Sequence, residues 1–183
     1  NPPFGLHSVD TAGRLYVTRT LGTDQQGVLT RFDFERGAPD PQALIESPGF
    51  SFTGQLLDEG GGPALGVRLI TDVETTVWFH PALQAFQQQV DARMPDHINR
   101  IDCRRCGEPD MTALVRSFSD RDPGQLWVYQ AQPPQGEERW RAVGRARNDV
   151  KPAEMATMDF HRIQARDGRD LPVWITRPAK ANQ

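Results

Sequence analysis

Short runs of alternating apolar and polar residues recur along the chain and predict a protein built mainly of β-strands. The run Gln125–Gln130 is the clearest, because Leu126 and Val128 share one face while Trp127 and Tyr129 share the other. Apolar residues on both faces indicate strands that are covered on both sides, as where sheets stack on sheets. The pattern therefore predicts several small, stacked sheets.

These runs follow one another in a repeated order. An apolar residue followed by Asp precedes a turn and two strand-like runs, at Val9-Asp10, Leu57-Asp58 and Ile101-Asp102. The paired runs are 15–19 with 28–34, 65–69 with 76–80, and 113–116 with 125–130. A unit of about 45 residues matches a β-propeller blade. The alternative is that a common dipeptide recurs by chance. The shared order of turn and strands favours the repeat, and so predicts an all-β fold that is a partial β-propeller of about three blades.

One segment departs from the alternating pattern. From Pro81 to Met94, the apolar residues Leu83, Phe86, Val90 and Met94 recur at helical spacing, with proline suited to the first turn. This spacing predicts one short amphipathic helix, which we expect to pack on the propeller edge.

Three blades are too few to close a ring, since known propellers have about four to eight. Unpaired strand edges and apolar faces would remain, so self-association is expected. The repeat is already under way near residue 6, and no Met precedes Met94. We therefore expect the missing blades upstream, in chain that has been removed.

The pattern changes near the carboxyl end. Residues 151–154 are typical of a linker, after which 158–165 and 171–176 predict the two arms of a hairpin. The turn 166–170 contains Asp-Gly, a frequent hairpin signal. Leu171, Val173 and Ile175 share one face of the second arm, which Pro178 is expected to end. Two domains are predicted, residues 1–147 and 148–183.

Two stretches of this sequence suggest a family. The run MDFHRIQARDGRDLPVWITRP at 158–178 resembles the crossing from propeller to catalytic domain in prolyl oligopeptidase-like serine peptidases, closest to the dipeptidyl and acylaminoacyl peptidase branch. The run SFSDRDPGQLWVY at 117–129 resembles the last-blade pattern of that branch. The resemblance implies a propeller that limits substrate entry and an α/β-hydrolase domain whose Ser-Asp-His triad cuts short peptides. Residues 148–183 would then be the linker and opening hairpin of a truncated hydrolase domain.

The catalytic part of such an enzyme is missing from this sequence. A nucleophile elbow needs G-x-S-x-G on a turn from strand to helix, and no such pattern occurs. No catalytic residue is assigned, because the serines considered all lack that setting: Ser8, Ser47, Ser51, Ser117 and Ser119. We expect a noncatalytic propeller fragment that gates short peptides and has the hydrolase domain of the same parent chain as its partner. The alternative is a stand-alone β-rich module that binds a protein or a glycan.

Net charge and hydropathy argue against two classes of partner. With 21 basic and 24 acidic residues the net charge is -3, so the chain lacks the positive field that gathers nucleic acid phosphates. No apolar run approaches the roughly 18 to 20 residues that cross a bilayer. Neither nucleic acid nor a membrane is an expected partner.

The motif Cys103-Arg104-Arg105-Cys106 leaves three alternatives open. Free thiols in a turn are preferred, followed by a local disulfide and then a metal site with His97 as third ligand. A structural zinc needs four ligands, and no second pair of cysteines or histidines is present. No metal and no cofactor are assigned.

The remaining candidates have ordinary structural interpretations. Asp120 and Asp122 lie in a predicted turn, where aspartates usually cap backbone N–H groups, and an acid–base pair is the weaker alternative. Arg121 is interpreted as a solvated turn residue rather than a ligand for a peptide carboxylate at the propeller mouth. The glycines at 60–62 lack the pattern of a phosphate-binding loop and predict a hairpin connection. The histidines occur singly, and none is expected to be a ligand: His7, His80, His97 and His161.

Overall fold

The computed structural model describes residues 4–21 and 26–177, with only the backbone of Leu21. The described part is mainly β, with one α-helix and four antiparallel sheets, none of which closes into a barrel. Within those residues, no helix has the length and apolar character needed to cross a membrane.

The elements follow one another in this order: β1 Phe4–Val9, β2 Leu15–Leu21, β3 Gln26–Asp33, β4 Ala38–Pro39, β5 Gln55–Leu57, β6 Gly66–Ile70, β7 Glu74–Trp78, α1 Pro81–Arg93, β8 Ile98–Arg104, β9 Thr112–Phe118, β10 Gln125–Gln130, β11 Trp140–Arg145, a 3-10 turn Pro152–Glu154, β12 Thr157–Gln164 and β13 Asp170–Arg177. The sheets are β1-β2-β3-β4, β5-β6-β7, β8-β9-β10-β11 and β12-β13, and each strand pairs with its neighbours in sequence. The chain divides into two compact units, Asn1–His80 and Pro81–Gln183. The boundary between residues 147 and 148 stays a prediction.

The repeated pairs of strands are confirmed as antiparallel neighbours: β2 with β3, β6 with β7, and β9 with β10. Asp10 and Asp58 stand directly after β1 and β5, as the repeat requires. Asp102 differs, because β8 continues past it to Arg104. The third copy therefore keeps the strand order but has its turn later in the chain.

The two sheets of the first unit stack face to face around a shared core. Tyr16 in β2 and Leu29 in β3 are fully buried, as is Val67 in β6. Burial of each such aliphatic side chain contributes about 1.5 to 3 kcal/mol. The buried cluster draws on both sheets and on the segments around them: Tyr16, Leu29, Ile45, Phe52, Ala64, Val67 and Leu69.

The other face of the first sheet is covered by the chain that follows β4. The Thr30 hydroxyl lies 3.0 Å from the carbonyl oxygens of both Asp40 and Gln42. Arg19 donates to the carbonyl of Pro41 on the same face. The inner strands β2 and β3 are thus buried on both sides around Val17 and Thr30, which explains their apolar residues on both faces, whereas Leu6 in the edge strand β1 is 78% exposed.

In the second unit, helix α1 confirms the predicted helical segment and its apolar side. Leu83, Phe86 and Val90 are buried. The helix packs on a face of the sheet, where the ring of Phe86 lies 4.6 Å from that of Tyr129 in the inner strand β10. The apolar side of the helix and the apolar face of the sheet thus cover each other. The expected place of the helix on a propeller edge stays a prediction.

The predicted carboxyl-terminal hairpin is present. Strands β12 and β13 form eight cross-strand pairs, from Thr157 opposite Arg177 to Gln164 opposite Asp170. The turn places Gly168 at φ 80° and closes with the Ala165 N–H donating to the Arg169 carbonyl. Pro178 and the tail that it was expected to begin lie outside the described residues.

Candidate functional site

Residues 119–124, here called the junction turn, connect β9 to β10 and coincide with the S-D-x-x-P-G motif. The Ser119 hydroxyl oxygen accepts the N–H groups of Arg121 at 3.2 Å and Asp122 at 3.0 Å. The Ser119 N–H donates to the Asp122 carbonyl at 2.9 Å. Gly124 has φ 127°, a backbone conformation that L side chains rarely adopt. Local side-chain bonds of this kind explain why Ser and Asp favour such turns.

Asp122 is the buried anchor of the junction turn, with a side chain only 7% exposed. Its carboxylate accepts the Gly124 N–H at 2.9 Å, the Gln125 side-chain amide at 3.3 Å and the Arg145 guanidinium at 2.9 Å. Burial alone would raise the pKa of Asp122, but these donors and the positive charge lower it. The carboxylate is thereby held ionised as a structural acceptor, which is the turn-capping role predicted for it.

Asp120 and Arg121 attach the carboxyl-terminal segment to the junction turn. The Asp120 Oδ2 atom accepts the backbone N–H of Met158, at 2.6 Å. The Arg121 Nε atom donates to the Pro152 carbonyl at 3.0 Å. Arg121 is therefore half-buried and bonded to backbone, which corrects the prediction of a solvated side chain. The two stretches that carry the family resemblance thus meet in space.

The hairpin anchored in this way has apolar residues on both faces. Phe160 and Trp174 pair on one face with their ring centroids 5.3 Å apart, and Trp174 remains 40% exposed. Ile163 and Leu171 lie opposite each other on the second face, 48% and 43% exposed. A lone two-stranded hairpin is only marginally stable in water. This pattern is typical of strands that a larger sheet and its neighbours cover on both sides.

The structure pairs Cys103 with Cys106 in a disulfide, so the preferred prediction of free thiols is wrong. The two Cα atoms lie 5.3 Å apart across the turn that follows β8, which is close enough for the bridge. His97 precedes β8, whereas Cys103 lies near its other end, and that strand length separates them by roughly 20 Å. The His97 ring bonds instead to the Pro95 carbonyl at 2.8 Å. The three proposed zinc ligands are not brought together.

The other candidates lie on separate elements. His80 follows β7 and His161 lies in β12. His7 lies in β1, where its Nδ1 atom is 3.0 Å from the Ser8 hydroxyl, but Ser8 stands in a strand and not at a nucleophile elbow. The glycines at 60–62 lie in the predicted hairpin connection, between β5 and β6, where the Gly61 N–H donates to an Asp58 carboxylate oxygen at 2.6 Å.

Asp10 has a role that sequence reasoning missed. Its side chain is 5% exposed and accepts the backbone N–H groups of Ala12 and Arg14, the Arg14 guanidinium and the Tyr16 hydroxyl. It also accepts the N–H of Ala64, which belongs to the second sheet's connection, at 3.2 Å. Burial raises the pKa of Asp10, but the bonds from Arg14, Ala64 and Tyr16 outweigh it and lower the value to about 2. The repeat marked this aspartate without indicating its partner 54 residues away.

Comparison of the chain with protein-family models, with curated proteins and with solved structures finds no match.

Proposed function

We propose that this chain is the noncatalytic part of a prolyl oligopeptidase-like serine peptidase: a partial β-propeller followed by the opening hairpin of an α/β-hydrolase domain. In the parent enzyme the blades stand above the active site, admit short flexible peptides and reject folded chains. The hydrolase domain of the parent chain is the partner, and no catalytic residue belongs to residues 1–183.

The observation that carries the proposal is the face-to-face stacking of two consecutive antiparallel sheets in the first unit. Tyr16 and Leu29 from one sheet share a core with Val67 and Leu69 from the next. Neighbouring propeller blades, each an antiparallel sheet of about four strands, succeed one another along the chain in the same way. A third sheet of the same strand order follows within the second unit.

A small, exposed apolar patch on that third sheet also supports the proposal. Leu114 in β9 is 42% exposed and lies opposite Val128 in β10, on the face away from α1. Charged side chains flank the patch, with Asp102 opposite Leu114 and Arg141 opposite Val128. An exposed apolar patch with a polar rim is typical of a contact surface. In a propeller this face would be covered by a neighbouring blade.

The anchored hairpin supports the second half of the proposal. Its position after the last four-stranded sheet, its R-D-G turn and its two apolar faces suit the first strands of a larger sheet covered on both sides. The bond from Met158 to Asp120 would then couple the hydrolase domain to the last blade.

The first test compares this chain with its full-length parent on chromogenic dipeptide substrates. We expect turnover by the parent and none by residues 1–183. A parent variant with alanine in place of its elbow serine controls for contaminating peptidases. Hydrolysis by purified residues 1–183 above that control would overturn the proposal.

The alternative, a stand-alone binding module, gives a different result in solution. We expect a complete binding module to stay monomeric at every concentration. An incomplete ring should self-associate through its exposed blade faces. Light scattering over a range of protein concentrations separates the two, and a constant monomer mass would favour the binding module.

A further inference from the structure

A cavity of about 360 Å³ opens between β1 and β5, the edge strands of the two stacked sheets in the first unit. Residues 7–11 form one wall, while Gln55, Leu56 and Asp58 form the other. This volume lies within the range of about 300 to 1,000 Å³ that is typical of small-ligand sites. The cavity is independent of the junction turn and of the proposed peptidase role.

Several polar groups at the cavity are already engaged and hold its walls in place. Asp10 binds Arg14 on its own sheet and the Ala64 N–H on the other. The His7 Nε2 atom lies 3.1 Å from the Gly54 carbonyl, so this ring also joins the two sheets. The walls are thus fixed before a ligand arrives, which lowers the entropic cost of binding.

Three other polar side chains face the cavity without a partner among the residues that the structure describes. These are the Thr11 hydroxyl, the Gln55 amide and the second carboxylate oxygen of Asp58. The first oxygen of Asp58 accepts the Gly61 N–H at 2.6 Å, which orients the carboxylate. No cation pairs with Asp58 within the described ranges. Its negative charge is therefore available to a ligand.

We propose that this cavity binds an organic cation, a guanidinium or ammonium group on a short apolar stem. A guanidinium presents several N–H donors in a plane, which suits a carboxylate beside amide and hydroxyl acceptors. The apolar side chains of Leu56 and Val9 line the same cavity and would contact the stem. Asp58 supplies the charge, while Gln55 and Thr11 supply the additional acceptors.

The test titrates the full chain with butylguanidinium, followed by calorimetry and by backbone amide NMR shifts. We expect a dissociation constant on the order of 1 mM, as for a fragment of this size. Butylurea has nearly the same shape without the charge and should bind about tenfold more weakly. Butylammonium forms the second arm, and whichever cation binds more tightly identifies the preferred head group.

The variant Asp58→Asn removes the charge but keeps an oxygen that can accept the Gly61 N–H. We expect it to weaken butylguanidinium binding about tenfold. The matched control is Asp72→Asn, because Asp72 caps the Val73 N–H in another turn of the same sheet, outside the cavity. Thermal unfolding of both variants checks that they are folded.

Three results would overturn the proposal. They are equal binding of butylurea and butylguanidinium, unchanged affinity in a folded Asp58→Asn variant, and absence of saturable binding up to about 50 mM probe. The butylurea comparison uses the unmodified chain, so the test holds even where the variant fails to fold. Shifts confined to amides outside 7–11 and 55–64 would also contradict the assigned site.

Discussion

The Asp120 carboxylate accepts the Met158 backbone N–H at 2.6 Å, joining a turn and a hairpin that are 38 residues apart in sequence. Met158 is the second residue of β12, so this bond fixes the start of the hairpin against the turn between β9 and β10. A second bond, from Arg121 to the Pro152 carbonyl, holds the chain just before it. The hairpin is therefore attached at its base, while its faces remain largely exposed.

Replacing Asp120 with alanine should loosen the hairpin without disturbing the sheet. Because this bond to a charged acceptor is exposed to water, we expect it to contribute about 1.5 kcal/mol, the low end for such bonds. Hydrogen exchange measured by mass spectrometry should show faster exchange over 157–177 and unchanged exchange in β8 to β10. Asp102→Ala, at an exposed position on the same sheet, is the control. Unaltered exchange in the hairpin would mean that the bond does not anchor it.

Removing the disulfide should lower stability modestly. In the chain-entropy description, a bridge across so short a loop contributes about 2 kcal/mol. The double variant Cys103→Ser, Cys106→Ser should therefore unfold at lower denaturant concentration. Thiol titration of the native chain should find no free thiol before reduction and two afterwards. Two reactive thiols in the native, unreduced protein would restore the prediction that the structure overturned.

Local pattern explains what could be predicted here, and distance along the chain explains what could not. The strand pairs and α1 follow from spacing within a few residues, as does the Asp-Gly hairpin. The bond from Asp10 to Ala64 spans 54 residues, so nothing near Asp10 indicates it. The apolar side of α1 shows that the helix packs, but not which surface it packs against.

The prediction of free thiols at the cysteine motif was wrong for a related reason. Its spacing allows a disulfide, two thiols or metal ligands, and the backbone of the turn decides among them. Arg105 adopts φ 52°, which folds the chain back between the two cysteines. A single sequence does not indicate that conformation for an arginine.

Acid should lower the stability of the first unit by protonating the Asp10 carboxylate. Its pKa is lowered from 3.8 to about 2 in the folded chain, so its contribution is fully present above pH 3.8 and disappears as the pH falls through about 2. We expect Asp10→Asn to lose about 2 kcal/mol at neutral pH, because a charge-assisted acceptor of several donors is lost. The wild type and the variant should then converge between pH 4 and pH 2.

Denaturant unfolding at a series of pH values measures this convergence. Asp33→Asn, at a turn aspartate of the same sheet that caps the exposed Glu35 and Arg36 N–H groups, is the matched control. It should change stability by less than about 0.5 kcal/mol. A constant difference between wild type and Asp10→Asn across the acid range would refute the assigned cause.

Replacing Phe86 with alanine should weaken the packing of α1 on its sheet and lower the free energy of unfolding. Its ring packs on Tyr129 at 4.6 Å and stacks on Trp140 at 6.0 Å between centroids. Loss of a buried phenylalanine side chain costs about 3 to 5 kcal/mol. Tryptophan fluorescence should report a lower unfolding midpoint for Phe86→Ala, while the exposed Gln88→Ala on the same helix should change little. Equal midpoints would place α1 away from this surface.

Charge placed on the open face of the third sheet should suppress self-association. Leu114 is 42% exposed and lies opposite Val128, so Leu114→Lys puts an ammonium group in the apolar patch that a neighbouring copy would have to bury. Because burying an unpaired charge is costly, the association constant from light scattering should fall at least about tenfold. Thr112→Lys, at an exposed position on the same face at the end of β9, is the control for added charge and should have a smaller effect. If the two variants associate as strongly as the wild type, the contact between copies lies elsewhere, and the open-blade interpretation of this face fails with it.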